Sequence, residues 1–335
     1  MSLVLDSLSK SFGEVKALDG IGFAVEPGQV FGFLGANGAG KTTTMRIVLD
    51  ILKPDGGTVT WRGRPASELP RRTWGYLPEE RGLYPRMRVL DQLVFFASLY
   101  GVPVRDATRE VREWLERFRI PEYEDRRAEE LSKGNQQKIQ FIAAILHDPE
   151  VLLMDEPFIG LDPVNVALLK DAFVEMRERG KTLVLSTHQM EMVEELCDSL
   201  VIIDRGRIVV GGPVRDVKRA SGRRVVRLGV TGDPDLDWLA HLDGVRVIRP
   251  GRDYTELYVE AGRDPESVLR AALERGEHVN RFEIADPSIE QVFIEHVGAA
   301  PSDGRTLARH GPVGGPTSAA DPTSAGGTPA GGGES

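Results

Sequence analysis

The stretch VFGFLGANGAGKTTTMRIVLDI, residues 30–51, contains the pattern GxxxxGK[ST] between an apolar run and a helical pattern. A strand before the glycines and a helix after them are the context that a phosphate-binding loop requires. In such a loop, successive backbone N–H groups turn toward a polyphosphate at a helix N-terminus. The stretch therefore predicts a nucleotide site in a P-loop NTPase fold of the α/β class.

The side chains of this loop have distinct predicted roles. Lys41 would add a positive charge at the β and γ phosphates, the Thr42 hydroxyl suits a Mg²⁺ ligand, and Thr43 can donate to the α or β phosphate. A glycine-rich turn without function is the alternative. The candidate phosphate-binding residues are Gly35, Asn37, Gly38, Ala39, Gly40, Lys41, Thr42 and Thr43.

Two further strand ends carry polar residues. VLLMDEP, residues 151–157, places Asp155 and Glu156 where a buried parallel strand ends at the carboxyl edge of its sheet. Asp155 suits Mg²⁺ coordination, whereas Glu156 could polarise an attacking water. TLVLSTH ends in His188, which could reach a γ-phosphate from a neighbouring strand. Solvated acids at a turn and a structural histidine are the alternatives.

Composition excludes several classes of protein. The 335 residues include 42 basic and 51 acidic side chains, and the net charge of -9 disfavours bulk attraction to nucleic acid. Cys197 is the only cysteine, so no intrachain disulfide can form. The start of the chain lacks the pattern of a secretory signal, and no apolar run is long enough to span a bilayer. We expect a cytoplasmic location.

The order of the patterns predicts the domains. Residues 1–212 alternate short strands with helices, which is typical of a mostly parallel sheet, and a helical insert occupies about 71–135. A linker is expected at 213–221. Residues 222–297 follow the order βαββαβ of a small α+β ferredoxin-like domain and close with the amphipathic helix PSIEQVFIEHV. The Gly/Pro/Ala/Ser/Thr-rich tail, 298–335, is predicted to be disordered.

Residues 3–212 resemble the nucleotide-binding subunits of ABC transporters, because the motifs follow that family's order. LSKGNQQ, residues 131–137, stands where the family has the consensus LSGGQ; alone, it would be interpreted as a helix N-cap. The resemblance implies ATP hydrolysis with Mg²⁺, in a dimer in which Ser132, Gly134 and Asn135 complete the ATP site of the opposite subunit. It also implies that Phe12 stacks on adenine and that Asp162, in IGLD, lies in a loop communicating between the two sites.

The sequence departs from that family at two places. Glu79 stands where the family usually has a glutamine that senses the γ-phosphate and Mg²⁺, and Lys133 and Asn135 replace glycine and glutamine in the signature. A carboxylate can ligate Mg²⁺, but it cannot donate a hydrogen bond. Glu79 is therefore a third candidate metal ligand, with Thr42 and Asp155.

The segment RGLYPRMRVLDQLVFFASLYG, residues 81–101, is the candidate contact with a membrane (permease) subunit, since that region receives a cytoplasmic helix of the permease in the family. Leu90, Leu93 and Leu99 are expected in the core of the insert. The C-terminal domain resembles that of exporter ATPases of the sodium-extrusion and daunorubicin-resistance group, which favours export. This implies a peripheral position on the cytoplasmic side of the membrane.

Two other classes of protein fit the sequence less well than a transporter subunit. A soluble ABC protein acting on ribosomes or nucleic acid would have two cassettes or a long coiled coil, whereas this chain has one phosphate loop and no heptad run. A P-loop kinase would have no use for the LSKGNQQ element. Direct nucleic-acid binding is accordingly not expected.

Overall fold

The computed structural model describes residues 2–80, 82–220, 222–232 and 236–297. The predicted disordered tail at 298–335 lies outside the described residues. In chain order, the strands of the N-terminal part are β1 (Leu3–Phe12), β2 (Val15–Val25), β3 (Val30–Leu34), β4 (Gly56–Trp61), β5 (Arg64–Pro65), β6 (Trp74–Leu77), β7 (Val151–Asp155), β8 (Thr182–Thr187), β9 (Ser199–Asp204) and β10 (Arg207–Pro213). The α-helices of this part are α1 (Lys41–Val48), α2 (Val89–Leu99), α3 (Val104–Arg117), α4 (Lys133–Ile145), α5 (Pro163–Glu178), α6 (Met190–Leu196) and α7 (Val214–Ala220).

A six-stranded sheet carries the predicted motifs. Its order is β10-β9-β3-β8-β7-β6, with parallel pairing from β9 to β6 and an antiparallel β10. Every residue of β3, β7 and β8 is buried, which explains why these strands are continuous apolar runs. The α/β prediction is confirmed. Because the strands are parallel, the residues after β3, β6, β7 and β8 meet at one edge.

A second, antiparallel sheet of order β2-β1-β4-β5 lies beside the first. Its apolar side chains share one core with β3 and α1, in which Leu5, Phe31, Phe33 and Met45 are almost completely buried. This packing fixes the start of α1, and with it the phosphate loop, against both sheets.

The helical insert packs its own core against α4. The buried stripe of α2 runs through Val89, Leu93 and Ala97, and Leu90 is partly buried beside it. Leu99 is 65% exposed, so its expected place in the core is wrong. At 3.6 residues per turn, Leu99 lies about 200° around the helix from Ala97 and therefore faces away from the stripe.

The C-terminal part contains β11 (Arg224–Val230), β12 (Val245–Arg249), β13 (Thr255–Val259), α8 (Glu266–Glu274), β14 (Val279–Ala285) and α9 (Ile289–Val297). The sheet order β12-β13-β11-β14, with antiparallel neighbours throughout, is the ferredoxin-like one. The expected first helix is only a 3₁₀ segment, Asp237–His241. Its Leu239 nevertheless reaches the core of this domain.

The segment expected to be a linker differs from that expectation. Residues 214–220 form α7, and its Val214 and Val217 side chains, three positions apart on one face, are buried. They share a core with Val193 of α6 and with α9. Helix α9 begins with a capping box, in which Ser288 and Gln291 exchange side-chain to backbone hydrogen bonds of 2.9 and 3.1 Å. The closing helix therefore packs against the ATP-binding part of the chain.

Candidate active site

The loop between β3 and α1 approaches the backbone closely at two glycines. A Cβ on Gly35 would lie 2.5 Å from the carbonyl oxygen of Ile203, and one on Gly40 would lie 2.8 Å from that of Ala17. Gly40 also has a φ of 115°, a conformation that side chains disfavour. Glycine is thus required at both ends of the loop.

Lys41, the first residue of α1, is directed into this loop. Its side chain is 6% exposed, and its Nζ donates to the carbonyl oxygens of Gly35 at 2.7 Å and Ala36 at 3.3 Å. Oε1 of Glu156 lies 3.9 Å away. The structure therefore places the lysine charge between the loop and the acidic strand end.

Asp155 joins three elements through its carboxylate. Oδ2 accepts a hydrogen bond of 2.6 Å from the Thr42 hydroxyl on α1, and Oδ1 accepts one from the Ser186 hydroxyl on β8. Asp155 is 1% exposed, and these bonds offset part of the cost of burying its charge. The structure brings together two of the three predicted metal ligands.

Glu156 is equally buried and faces His188. Its Oε1 lies 2.7 Å from Nδ1 of His188, and its Oε2 accepts a 3.1 Å hydrogen bond from the Thr187 hydroxyl. The φ of Glu156 is 51°, an unfavourable value for a residue with a side chain. Its N–H donates to the carbonyl of Ser186, which fixes this turn against β8. Because His188 is half-exposed, the pair has one buried and one accessible member.

Glu79 lies two residues beyond β6. Since Leu77 pairs with Met154, Glu79 emerges at the same edge as Asp155. Its side chain is exposed, and its carboxylate forms no hydrogen bond or ion pair with any described residue. The third predicted metal ligand is thus at the right edge without being held in place.

The signature residues lie at the start of α4. The exposed Ser132 caps the helix, and its hydroxyl accepts the Asn135 N–H at 3.2 Å. A Cβ on Gly134 would meet side chains of Leu161 and Asn165 at 3.4 Å, so the helix start lies close to the segment after Glu156. Within the described part of the chain, no hydrogen bond joins Ser132, Gly134 or Asn135 to the phosphate loop.

Asp162 and Phe12 occupy other positions. Asp162 caps α5, and the N–H of Asn165, donating at 3.0 Å, holds the pKa of the Asp162 carboxyl below its usual value. Phe12 ends β1 and is 50% exposed, with Lys10 Nζ 5.8 Å from its ring centroid. Phe12 is therefore half-exposed and is not part of the core.

Two glutamines of α4 contribute to the site, although the sequence analysis assigned them no role. Gln137 Nε2 donates to the carbonyl of Pro157 at 3.0 Å, and Gln140 Nε2 donates to that of Glu80 at 3.2 Å. Both side chains are buried. They fix the segments that follow Glu156 and Glu79. Gln140 stands between apolar residues of the helix, which is a signal for its burial, whereas Gln137 lies in a polar run and carries no such signal.

The donor set fits a magnesium ion bound together with a nucleotide. Among the residues that the structure describes, no group of three or more His, Cys, Asp or Glu side chains could hold a metal ion by itself. Mg²⁺ typically takes one or two carboxylates and completes its shell with waters and substrate phosphates. The Thr42 and Asp155 oxygens suit that arrangement.

The chain matches two families, described as "ABC transporter" over residues 18–159 and "ATP-binding protein DrrA1-3-like, C-terminal domain" over residues 212–297. It is 46% identical over 297 residues to the uncharacterized ABC transporter ATP-binding protein YhaQ of Bacillus subtilis (strain 168). This match covers 89% of this chain and 99% of YhaQ. The chain belongs to the ATP-binding proteins of ABC transporters. As an ABC ATPase, it binds and hydrolyses ATP.

Other relatives of this ABC ATPase have more specific names. The linearmycin resistance ATP-binding protein LnrL of Bacillus subtilis (strain 168) is 30% identical, with 88% of this chain and 98% of LnrL covered. The Nod factor export ATP-binding protein I of Rhizobium sp. (strain N33) is 34% identical, with 89% and 97% covered. A solved structure of an ATP-binding subunit of an ABC transporter has a TM-score of 0.62 and 31% identity, over 66% of this chain and 94% of that one.

Proposed function

We propose that this ABC ATPase energises export through a separate permease, and that Glu156 and His188 act at the γ-phosphate of ATP. The main support for these roles is the contact between the buried Glu156 carboxylate and His188 at the carboxyl edge of the parallel sheet. Export is supported by relatives named for export or resistance and by the match of residues 212–297 to the DrrA1-3-like domain. No described helix is long and apolar enough to cross a membrane.

Different residues of the site have different roles in ATP hydrolysis. Lys41 and the N–H groups of the loop bind the phosphates, and Glu156 orients the attacking water and accepts its proton. His188, held by Glu156 through Nδ1, contacts the γ-phosphate with its exposed side. Thr42 and Asp155 would hold Mg²⁺, with Glu79 as a third ligand. When bound, the ion neutralises phosphate charge.

The position of the signature supports a composite site in a dimer. Ser132 is exposed at the N-terminus of α4, where the free N–H groups and helix dipole favour an anion. In our proposal, Ser132, Gly134 and Asn135 bind the γ-phosphate held by another subunit. Asp162 lies in the loop that communicates between the two ATP sites. Phe12 stacks on the adenine ring.

The permease would contact an aromatic surface of the insert, made by Tyr84, Phe95 and Phe96. Their ring centroids are 5.7 to 6.4 Å apart, and Tyr84 and Phe95 are 52% and 41% exposed. Exposed aromatic clusters on soluble proteins mark interaction sites. Through this contact, the ATPase would lie on the cytoplasmic side of the membrane.

Affinity purification from native membranes in mild detergent tests this proposal. We expect the wild-type protein to recover a polytopic membrane protein, and the Phe95→Glu variant to lose it. Ile51→Glu is the matched control, since Ile51 is 61% exposed and lies outside the insert. Recovery of ribosomes or DNA in place of a membrane protein would overturn the proposal.

A further inference from the structure

Helix α6 starts immediately after the candidate catalytic histidine. Only Gln189 separates His188 from Met190, the first residue of α6. The Gln189 N–H donates to the Thr187 hydroxyl at 3.0 Å, and that hydroxyl donates to Glu156 at 3.1 Å. The position of α6 therefore affects the geometry of the contact between Glu156 and His188.

One side of α6 lies directly against the central sheet. A Cβ on Gly32 of β3 would lie 2.8 Å from Cγ1 of Val193 and 3.2 Å from Sγ of Cys197. Glycine at this position allows the close approach. Helix α6 consequently cannot move closer to β3.

The same residue of α6 also packs against the closing helix of the chain. Val193 is fully buried and shares a core with Ile289 and Val292 of α9 and with Val217 of α7. The same core includes Leu34, which directly precedes the phosphate loop. Helix α9 thus completes the apolar environment beneath the active-site edge.

Glu194 of α6 connects all three helices through one carboxylate. Oε1 accepts the backbone N–H of Ile289, the first residue of α9, and Oε2 accepts a 2.7 Å hydrogen bond from Lys218 of α7. The first N–H groups of a helix have no partner within it, and the positive end of the helix dipole favours a carboxylate there. Glu194 is 27% exposed, which makes this a partly buried and specific link.

We propose that Glu194 is a positioning residue for His188, and that the C-terminal domain controls ATP hydrolysis through α9, Glu194 and α6. This inference rests on the proposed catalytic role of His188. Because Val193 packs against both β3 and α9, α6 has one well-packed position. Without the Glu194 link, α6 keeps its apolar contacts and the ion pair between Glu195 and Lys170 of α5, but it loses its polar connection to α7 and to the start of α9. The histidine that precedes α6 then loses its fixed approach to the γ-phosphate.

The test uses Glu194→Ala in the full-length protein. We expect kcat for ATP to fall by about fivefold or more, with KM changed by less than about twofold, because ATP binding depends on other residues. Backbone amides of α6 should exchange hydrogen faster than in the wild type. Glu194→Gln keeps an oxygen for the Ile289 N–H and should recover most of kcat.

Glu256→Ala is the matched control. Glu256 is a partly buried acid that pairs with Arg227 inside the C-terminal sheet, away from α6. It should leave kcat and α6 exchange unchanged, which separates the specific link from general destabilisation of the domain.

A double-mutant cycle with His188→Ala distinguishes positioning from an independent structural effect. If Glu194 acts through His188, Glu194→Ala should cause no further loss of kcat in the His188→Ala protein. Losses that multiply would overturn the inference, as would unchanged kcat and unchanged α6 exchange in Glu194→Ala. If His188→Ala retained the wild-type kcat, the proposed role of His188 and the proposed effect of Glu194 on turnover would both be refuted. Hydrogen exchange in α6 would still report separately whether α9 holds α6.

Discussion

Nδ1 of His188 lies 2.7 Å from Oε1 of Glu156, an oxygen that Lys41 Nζ approaches to 3.9 Å. The carboxylate is buried, and the imidazole is half-exposed. A buried carboxylate between two nitrogen groups is held in one orientation, which a water-orienting residue requires.

Glu156→Gln should reduce ATP hydrolysis by roughly 10²- to 10⁴-fold while ATP remains bound. The amide keeps the size of the side chain and one oxygen acceptor, but it cannot take up a proton. Steady-state hydrolysis and equilibrium binding of a fluorescent ATP analogue measure the two effects separately. Near-normal turnover would exclude Glu156 as the base.

Lys41→Ala should behave differently, because Lys41 acts on the nucleotide itself. Loss of a charge-assisted contact should weaken ATP binding by about tenfold or more, and hydrolysis at low ATP should fall with it. The same binding assay measures this. Unchanged ATP affinity would contradict the phosphate-loop assignment.

Local patterns predicted the loop and the acidic strand end well, since the motif and its flanking strand and helix lie within about twenty residues. Asp155 and Glu156 end a fully apolar strand, so their edge position followed from the run itself. The His188 contact was harder to predict because it depends on β7 and β8 being neighbours, a long-range property of the sheet.

Contacts across long sequence separations were not predictable where they belong to no motif. Glu194 and Ile289 are 95 positions apart, and nothing near either residue indicates the hydrogen bond between them. Residues 213–221 lie between the two predicted domains and were expected to form a linker, but two valines on one face of α7 are enough to bury it against α9. Leu99 was misplaced because apolar residues at the end of a helix were counted as part of its buried stripe.

Dimerisation should depend on ATP in the Glu156→Gln protein. If Ser132 and Gly134 complete the site of another subunit, ATP with Mg²⁺ should favour a dimer in analytical ultracentrifugation, and ADP should not. Adding Ser132→Arg should prevent the dimer by placing a bulky side chain at the exposed start of α4. A monomer at saturating ATP would argue against the composite site.

His147 should make stability depend on pH in a defined direction. Burial lowers the pKa of its imidazole, whose Nε2 lies 2.9 Å from the Trp74 carbonyl oxygen. As pH falls below the unfolded value of about 6.5, the unfolded chain binds a proton that the folded protein does not. The free energy of unfolding should therefore decrease with falling pH until the folded pKa is reached.

Urea unfolding of the wild type and His147→Gln at several pH values between 7 and 5 measures this contribution. The difference in unfolding free energy between the two proteins should change with pH, because glutamine does not titrate. His278→Gln, at an exposed histidine, is the control and should preserve the wild-type dependence. A constant difference between wild type and His147→Gln would refute the assignment.

Glu79 should matter chiefly when Mg²⁺ and the γ-phosphate are both present. Its exposed carboxylate has no partner among the described residues, so its contribution would come from the metal and not from the fold. Glu79→Gln retains an oxygen ligand without charge and should stay active with a shifted Mg²⁺ optimum, whereas Glu79→Ala should lose more activity. ADP affinity should be the same in all three proteins. Titrations of the ATPase rate with Mg²⁺ distinguish a metal ligand from a residue that faces only solvent. If Glu79 faces only solvent, its substitution removes no ligand from the metal, so superimposable curves for the three proteins would exclude Glu79 from the metal site.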